Sequence, residues 1–196
     1  MLALAAAGSV SATVLHSKIN VDNGFVAYIA TSDTEAGTSF SSDHNWGASR
    51  PGTSKLEVGT DYYLHVYAYD DGGIAGFLGQ FSLTGTDHSF SNNQTTLLTD
   101  SVHWKANATG FADPYTAVSS SGLNGIGPWG KQNAVSNAAT WIWSGDSNAI
   151  DAVYFSTKIS VAGAGTAPEP TSIALVGLAL TGLGIARARK DKGSLA

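Results

Sequence analysis

Between Thr13 and Ala162 apolar residues recur at every second position in short bursts, and Gly, Asn and Asp break the bursts apart. A period of two predicts strands, because successive side chains of an extended chain point to opposite faces. Val14–Val21 (VLHSKINV) alternates and ends at Asp22-Asn23-Gly24, which has turn chemistry, so Phe25–Thr31 (FVAYIAT) is expected as its hairpin partner. Tyr62–Tyr69 (YYLHVYAY) is the clearest strand, with Tyr63, His65, Tyr67 and Tyr69 on one face and Tyr62, Leu64, Val66 and Ala68 on the other. Large groups on both faces predict a central strand. Asp70–Gly73 should turn the chain and Ile74–Leu83 should return it. Thr95–Thr99 and Ser101–Ala106 are shorter candidates, whereas Ala139–Ser144 and Asp151–Val161 are strong ones. No interior stretch carries a convincing helical period, so the expected class is all-β, a sandwich or barrel.

The pattern changes at the C-terminal end. From Thr171 to Ala186 no side chain is charged and most are Ala, Leu, Ile, Val or Gly. A spanning helix needs roughly 20 apolar residues. This run is shorter, but flanking bases can snorkel and bilayers adjust to mismatch. Arg187, Arg189 and Lys190 follow directly, and under the positive-inside rule residues 187–196 become a basic cytoplasmic tail. Residues 163–170 read as a linker: Gly163-Ala164-Gly165 is flexible, and Pro168 and Pro170 hold the chain extended around Glu169. The opening residues 1–12 read as part of a signal peptide, apolar from Leu2 to Gly8, with the small residues Val10-Ser11-Ala12 at a cleavage-like position.

Composition and charge narrow the function classes. With 43% hydrophobic and 10% aromatic residues the chain can build a core. It holds no cysteine, which removes disulfides, thiolate metal sites and cysteine nucleophiles. Thr13–Thr166 carries six Lys and Arg against thirteen Asp and Glu, a net charge of −7. Nucleic acid is therefore not an expected partner, since phosphate neutralisation supplies most of that affinity.

Two resemblances follow from these residues. Pro168-Glu169-Pro170, the apolar run and the Arg-Ala-Arg-Lys cluster, in that order, resemble the PEP-CTERM sorting signal of exopolysaccharide-producing Gram-negative bacteria. The resemblance implies an exported protein held in the inner membrane by a transmembrane helix over 171–186. A membrane-embedded exosortase then processes it near the tripeptide, for delivery to the cell surface or matrix. The interior resembles galactose-binding-like jelly-roll modules over roughly Thr13–Ala162, through VDNGFVAYIA, YYLHVYAYDDGGIAGFLGQFSL and ATWIWSGDSNAIDAVYFSTKISV. That implies a jelly-roll β-sandwich at 13–162. The loop Thr31-Ser32-Asp33-Thr34-Glu35 departs from the hairpin usual in such modules.

Candidate chemistry is sparse. His16, His44, His65, His88 and His103 are scattered without metal-type spacing, and no nucleophile elbow, P-loop or paired-histidine zinc motif is present. The expected protein is not an enzyme. Sugars stack on exposed aromatic rings, and Trp46 and Trp129 lie in Asn- and Gly-rich, loop-like surroundings, which makes them the candidate sugar platform. Trp141 and Trp143, two apart on one strand face, are assigned to the core, as is Trp104. Asp70 and Asp71 beside glycines form a polar turn and a candidate site for a structural calcium, which takes several oxygen ligands in a flexible loop; no other cofactor is expected. The leading expectation is an exported surface or biofilm-matrix protein with a carbohydrate-binding role, its partners an exosortase, the membrane and extracellular polysaccharide. The alternatives are a purely structural matrix protein without a discrete ligand, or a hydrolase.

Overall fold

Alternation along the strands decides how the chain packs. The computed structural model describes residues 12–162 and contains thirteen strands, numbered in chain order. One antiparallel sheet holds β1 (Thr13–Asp22), β4 (Arg50–Leu56), β6 (Gly76–Leu83), β8 (Thr96–Leu98), β11 (Ser119–Leu123) and β12 (Thr140–Trp143), in the order β11-β12-β6-β1-β4 with β8 also on β6. The second holds β2 (Gly24–Ala30), β3 (Thr38–Asp43), β5 (Tyr62–Tyr69), β7 (His88–Phe90), β9 (Lys105–Asn107), β10 (Thr116–Ala117) and β13 (Ala152–Val161), in the order β10-β9-β13-β5-β2-β3 with β7 also on β13. The two pack face to face as a β-sandwich. β5 is central, between β13 and β2.

The inner faces supply one continuous core. Leu15, Ile19 and Phe77 from the first sheet meet Leu64, Val66 and Phe155 from the second, all fully buried. Two expected hairpins are not hairpins. β1 and β2 belong to different sheets, as do β5 and β6, so Asp22–Asn23 and Asp70–Ala75 are corners that carry the chain across the sandwich. The physical reason is burial: β1 and β2 each have one strongly apolar face, and placing them in opposite sheets lets both faces fill a single core.

A second apolar cluster lies on the outer side of the first sheet. Residues 124–139 fold back over it, so that Trp129, Val135 and Ala139 cover Leu78 and Trp141. Asn124, itself buried, holds this segment closed. Its Nδ2 donates to the carbonyls of Gln132 (2.9 Å) and Val135 (3.0 Å), and its Oδ1 accepts the Gln132 N–H (2.8 Å). Trp141 and Trp143 are both buried, as expected, but not together: Trp141 joins this outer cluster and Trp143 the inter-sheet core. Trp104 is buried in the inter-sheet core.

The chain divides after Ala162 into two units, and the sandwich falls in the first. The segment at 1–11, the linker with Pro168, Glu169 and Pro170, the apolar run 171–186 and the bases Arg187, Arg189 and Lys190 lie outside the described residues. Among the described residues no helix is long and apolar enough to cross a membrane.

Candidate functional site, the tyrosine face

Of the two tryptophans expected as a sugar platform, one is exposed and one is not. Trp46 is 36% exposed in the turn between β3 and β4. Trp129 is only 4% exposed. Its indole stacks on Trp141 at 4.4 Å between centroids, 18° from parallel, and its Nε1–H donates to Asp22 Oδ2 at 2.8 Å. The Gly- and Pro-rich composition around Trp129 signals an irregular backbone, but irregular backbone can still lie down on a sheet. Asn20 ties the two loops together, donating from Nδ2 to the Trp46 carbonyl (2.9 Å) and to Gln132 Oε1 (3.1 Å), yet the two rings have opposite fates.

The outer face of the second sheet gathers more aromatic surface. Because Leu64, Val66 and Ala68 point into the core, Tyr67 and Tyr69 point out, and register places Tyr154 of β13 directly opposite Tyr67. Tyr28 projects from β2 on the same side, opposite His65. All four tyrosines are half-buried. Tyr67 lies 4.8 Å from Tyr154 and 5.7 Å from Tyr69, centroid to centroid. Phe111 packs edge-on against Tyr154 (5.0 Å) and Tyr28 (5.9 Å). Tyr69 rests over Gly24, where a Cβ would sit 2.5 Å from the ring, and its hydroxyl is 2.9 Å from His44 Nδ1. Burial, reinforced by the neighbouring Tyr154, raises the Tyr28 and Tyr67 phenols above their ordinary pKa, so they remain hydrogen-bond donors well into the alkaline range. The result is a sheet of partly exposed rings with hydroxyls on it, suited to stacking against the apolar face of a flat, polyhydroxylated ligand.

One flank of this face is closed by a polar cluster on Asp33, which lies in the loop between β2 and β3. Asp33 Oδ1 accepts from Ser156 Oγ (2.5 Å) and lies 3.3 Å from His65 Nε2, Oδ2 pairs with Lys105, and the backbone carbonyl accepts from the Tyr115 hydroxyl (2.6 Å). His65 is fully buried and stacks on Phe111 at 4.3 Å. Its residue types match a hydrolytic triad, but the connectivity does not: serine and histidine both address the carboxylate, so the imidazole does not take the serine proton. The cluster fastens a loop.

Asp70 and Asp71, the candidate calcium ligands, are engaged differently. The exposed Asp71 carboxylate lies 3.5 Å from His44 Nε2. Asp70 is buried and its Oδ1 has no hydrogen-bond partner. Among the described residues no three His, Asp or Glu side chains converge as a metal set. A calcium ion there would therefore draw on backbone carbonyls and water as well. Burial, with Asp151 and Asp71 nearby, raises the Asp70 carboxyl above its ordinary pKa, and burial also raises Asp22, which Asp70 further opposes. A raised acid binds its proton more tightly in the folded state, so stability falls as pH rises from the unfolded value of 3.8 through the folded one, and acidification through that window restores it. Asp70→Asn should stabilise the metal-free protein at pH 7 by about 1 kcal/mol, because the amide replaces a repelled charge with a donor; thermal melts of the two proteins in chelator check this.

Alternation alone puts Tyr63, His65, Tyr67 and Tyr69 on one face and gives that face no role. The signal that identifies it is the register that brings Tyr28 and Tyr154 alongside, and a single strand does not carry that information. Comparison with protein-family models, with curated proteins and with solved structures finds no match for this chain.

Proposed function

We propose that this protein is an exported cell-surface or biofilm-matrix component whose β-sandwich binds extracellular polysaccharide through the tyrosine face. In this reading its tail is a PEP-CTERM-type signal that an exosortase recognises. The observation that carries the proposal is the division of the chain after Ala162: a complete sandwich is followed by a sequence in which Pro168-Glu169-Pro170, an uncharged apolar run and a basic cluster stand in order. The sandwich is the cargo, the run 171–186 a temporary inner-membrane anchor, and the bases its cytoplasmic stop. Repeated passage of the chain between the two sheets supports a jelly-roll connection of the galactose-binding-like kind.

Mass spectrometry of the protein recovered from the cell exterior tests the sorting half. Processing gives a C-terminus near Pro168–Pro170, whereas an intact Lys190-containing tail on the exterior protein rejects it. A polysaccharide array tests the binding half. Tyr67→Ala and Tyr154→Ala should each weaken binding about tenfold, equivalent to about 1.4 kcal/mol. Trp46→Ala serves as the competing site; loss of binding there alone would move the platform to the β3–β4 turn, and absence of binding by wild type would favour a purely structural matrix role.

A further inference from the structure

A cavity of about 340 Å³ is lined by the end of β2, the β2–β3 loop and the start of β3, together with Ser54 and Lys55 of β4 and Tyr62 of β5. Its floor is apolar, formed by Ile29, Ala30 and the Tyr62 ring, all residues of the buried set. Its rim is hydroxylic, with Thr31, Ser32, Thr38 and Ser54. One carboxylate, Glu35, and one ammonium, Lys55, line the same space, and among the described residues neither forms an ion pair. Part of the wall is bare backbone. Gly37 sits in the left-handed region at φ +85°, and a Cβ there would meet the Ile29 carbonyl at 2.2 Å, so only glycine lets β3 start this close to β2.

We propose that this cavity binds a single neutral pyranose unit, the end of a glycan chain, as a second subsite separate from the tyrosine face. The proposal rests on the carbohydrate reading given above and deepens it. Small-molecule sites span about 300–1,000 Å³, and this one is at the low end, with room for a ring and not for a chain segment. An apolar floor accepts the C–H face of a pyranose, while hydroxyl groups, a carboxylate acceptor and an ammonium donor around it match a ring of alternating donors and acceptors. Glu35 and Lys55 together bring no net charge to the space: a uronate's attraction to Lys55 is offset by repulsion from Glu35, an amino sugar's attraction to Glu35 by repulsion from Lys55, and either charged sugar still loses hydration on entering, so a neutral ring is favoured. The rim is also held in advance. Asp33 fastens the loop that carries Thr31, Ser32 and Glu35, and Ser32 Oγ accepts the Thr34 N–H at 3.2 Å, which lowers the ordering cost of binding.

The test is amide chemical-shift titration of the full 196-residue chain in a sugar-free detergent, with D-glucose and D-galactose as probes and D-glucuronate and D-glucosamine as charged controls. Shifts at Thr31, Glu35, Gly37 and Ser54 with a neutral hexose, weakened at least tenfold by Glu35→Gln or Lys55→Met and unaffected by Tyr67→Ala, support the subsite. A charged sugar that binds as well as the neutral ones, or shifts insensitive to Glu35→Gln, overturns it. Polysaccharide binding that Tyr67→Ala abolishes, without any hexose shift at the cavity, rejects the cavity and leaves the tyrosine face standing. Absence of both responses rejects both.

Discussion

Trp129→Ala should lower the stability of the sandwich by about 3–5 kcal/mol, the range for deleting a large buried aromatic, and leave polysaccharide affinity unchanged. The indole is the lid of the outer cluster. It covers Trp141 face to face, and its ring lies against Gly76, where a Cβ would come within 2.7 Å of Trp129 and 2.9 Å of Trp141. Its removal opens a void over Trp141 and also strips Asp22 of the Trp129 Nε1–H donor. Burial and the nearby Asp70 raise the Asp22 pKa, and that bond offsets them only in part. Loss of the bond therefore adds an unsatisfied, opposed carboxylate to the packing defect. Denaturant titration measures the stability change, and the polysaccharide array measures the second half of the expectation. Trp46→Ala is the control: an exposed turn residue should move stability by no more than about 0.5 kcal/mol. A stable Trp129→Ala protein that no longer binds sugar would restore Trp129 to the platform.

The contrast between Trp46 and Trp129 shows what a sequence can reveal about such a domain. Alternation makes β5 legible, because eight residues with large groups at both parities can satisfy burial only as a central strand. β13 and β12 were legible for the same reason. The edge strands were not. β3 (TSFSSD) and β4 (RPGTSKL) carry almost no apolar pattern, since an edge strand with one face on solvent needs few hydrophobic residues, and the Pro and Lys that guard such an edge read as a loop. Turn residues announced where the chain bends, but not whether it returns within a sheet or crosses to the other. Composition reads the Gly-, Ser-, Asn- and Pro-rich stretch Asn107–Asn137 as one long loop, whereas β10 and β11 lie within it and the burial of 124–139 depends on Asn124 and on Leu78 and Trp141 beneath it, which lie far apart in the chain. The tyrosine face had the same difficulty: half of it is the period of β5, and the other half is the register of β2 and β13 against it.

Asp33→Ala should destabilise the sandwich by about 2–3 kcal/mol, the loss expected when hydrogen bonds to a charged, largely enclosed carboxylate disappear together. The Lys105 contact adds little to that figure, because the Lys105 side chain is 41% exposed and water can solvate the freed ammonium. Ser156 and His65, both buried, have no such substitute. The pH dependence follows from the same atoms. Burial pushes the Asp33 carboxyl upward, but the bonds from Lys105, Ser156 and His65 outweigh it and hold its pKa below 3.8. A depressed acid contributes stability at pH above its unfolded value, and that contribution is lost as pH falls through the folded one. His65 moves in the same direction by a different route. Burial lowers its pKa below 6.5 despite the nearby Asp33, so at pH below 6.5 the unfolded chain takes up a proton that the folded chain refuses. Wild-type stability should therefore decline first below pH 6.5, through His65, and again in the range of Asp33 at stronger acidity. His65→Gln, which keeps a donor toward Asp33, should remove the first decline and preserve the second. Melting temperatures between pH 3 and pH 8 separate the two, and a first decline that persists in His65→Gln would assign it to a different group. The loop that Asp33 fastens also carries one wall of the cavity, so Asp33→Ala should weaken hexose binding there although no atom of Asp33 lines it.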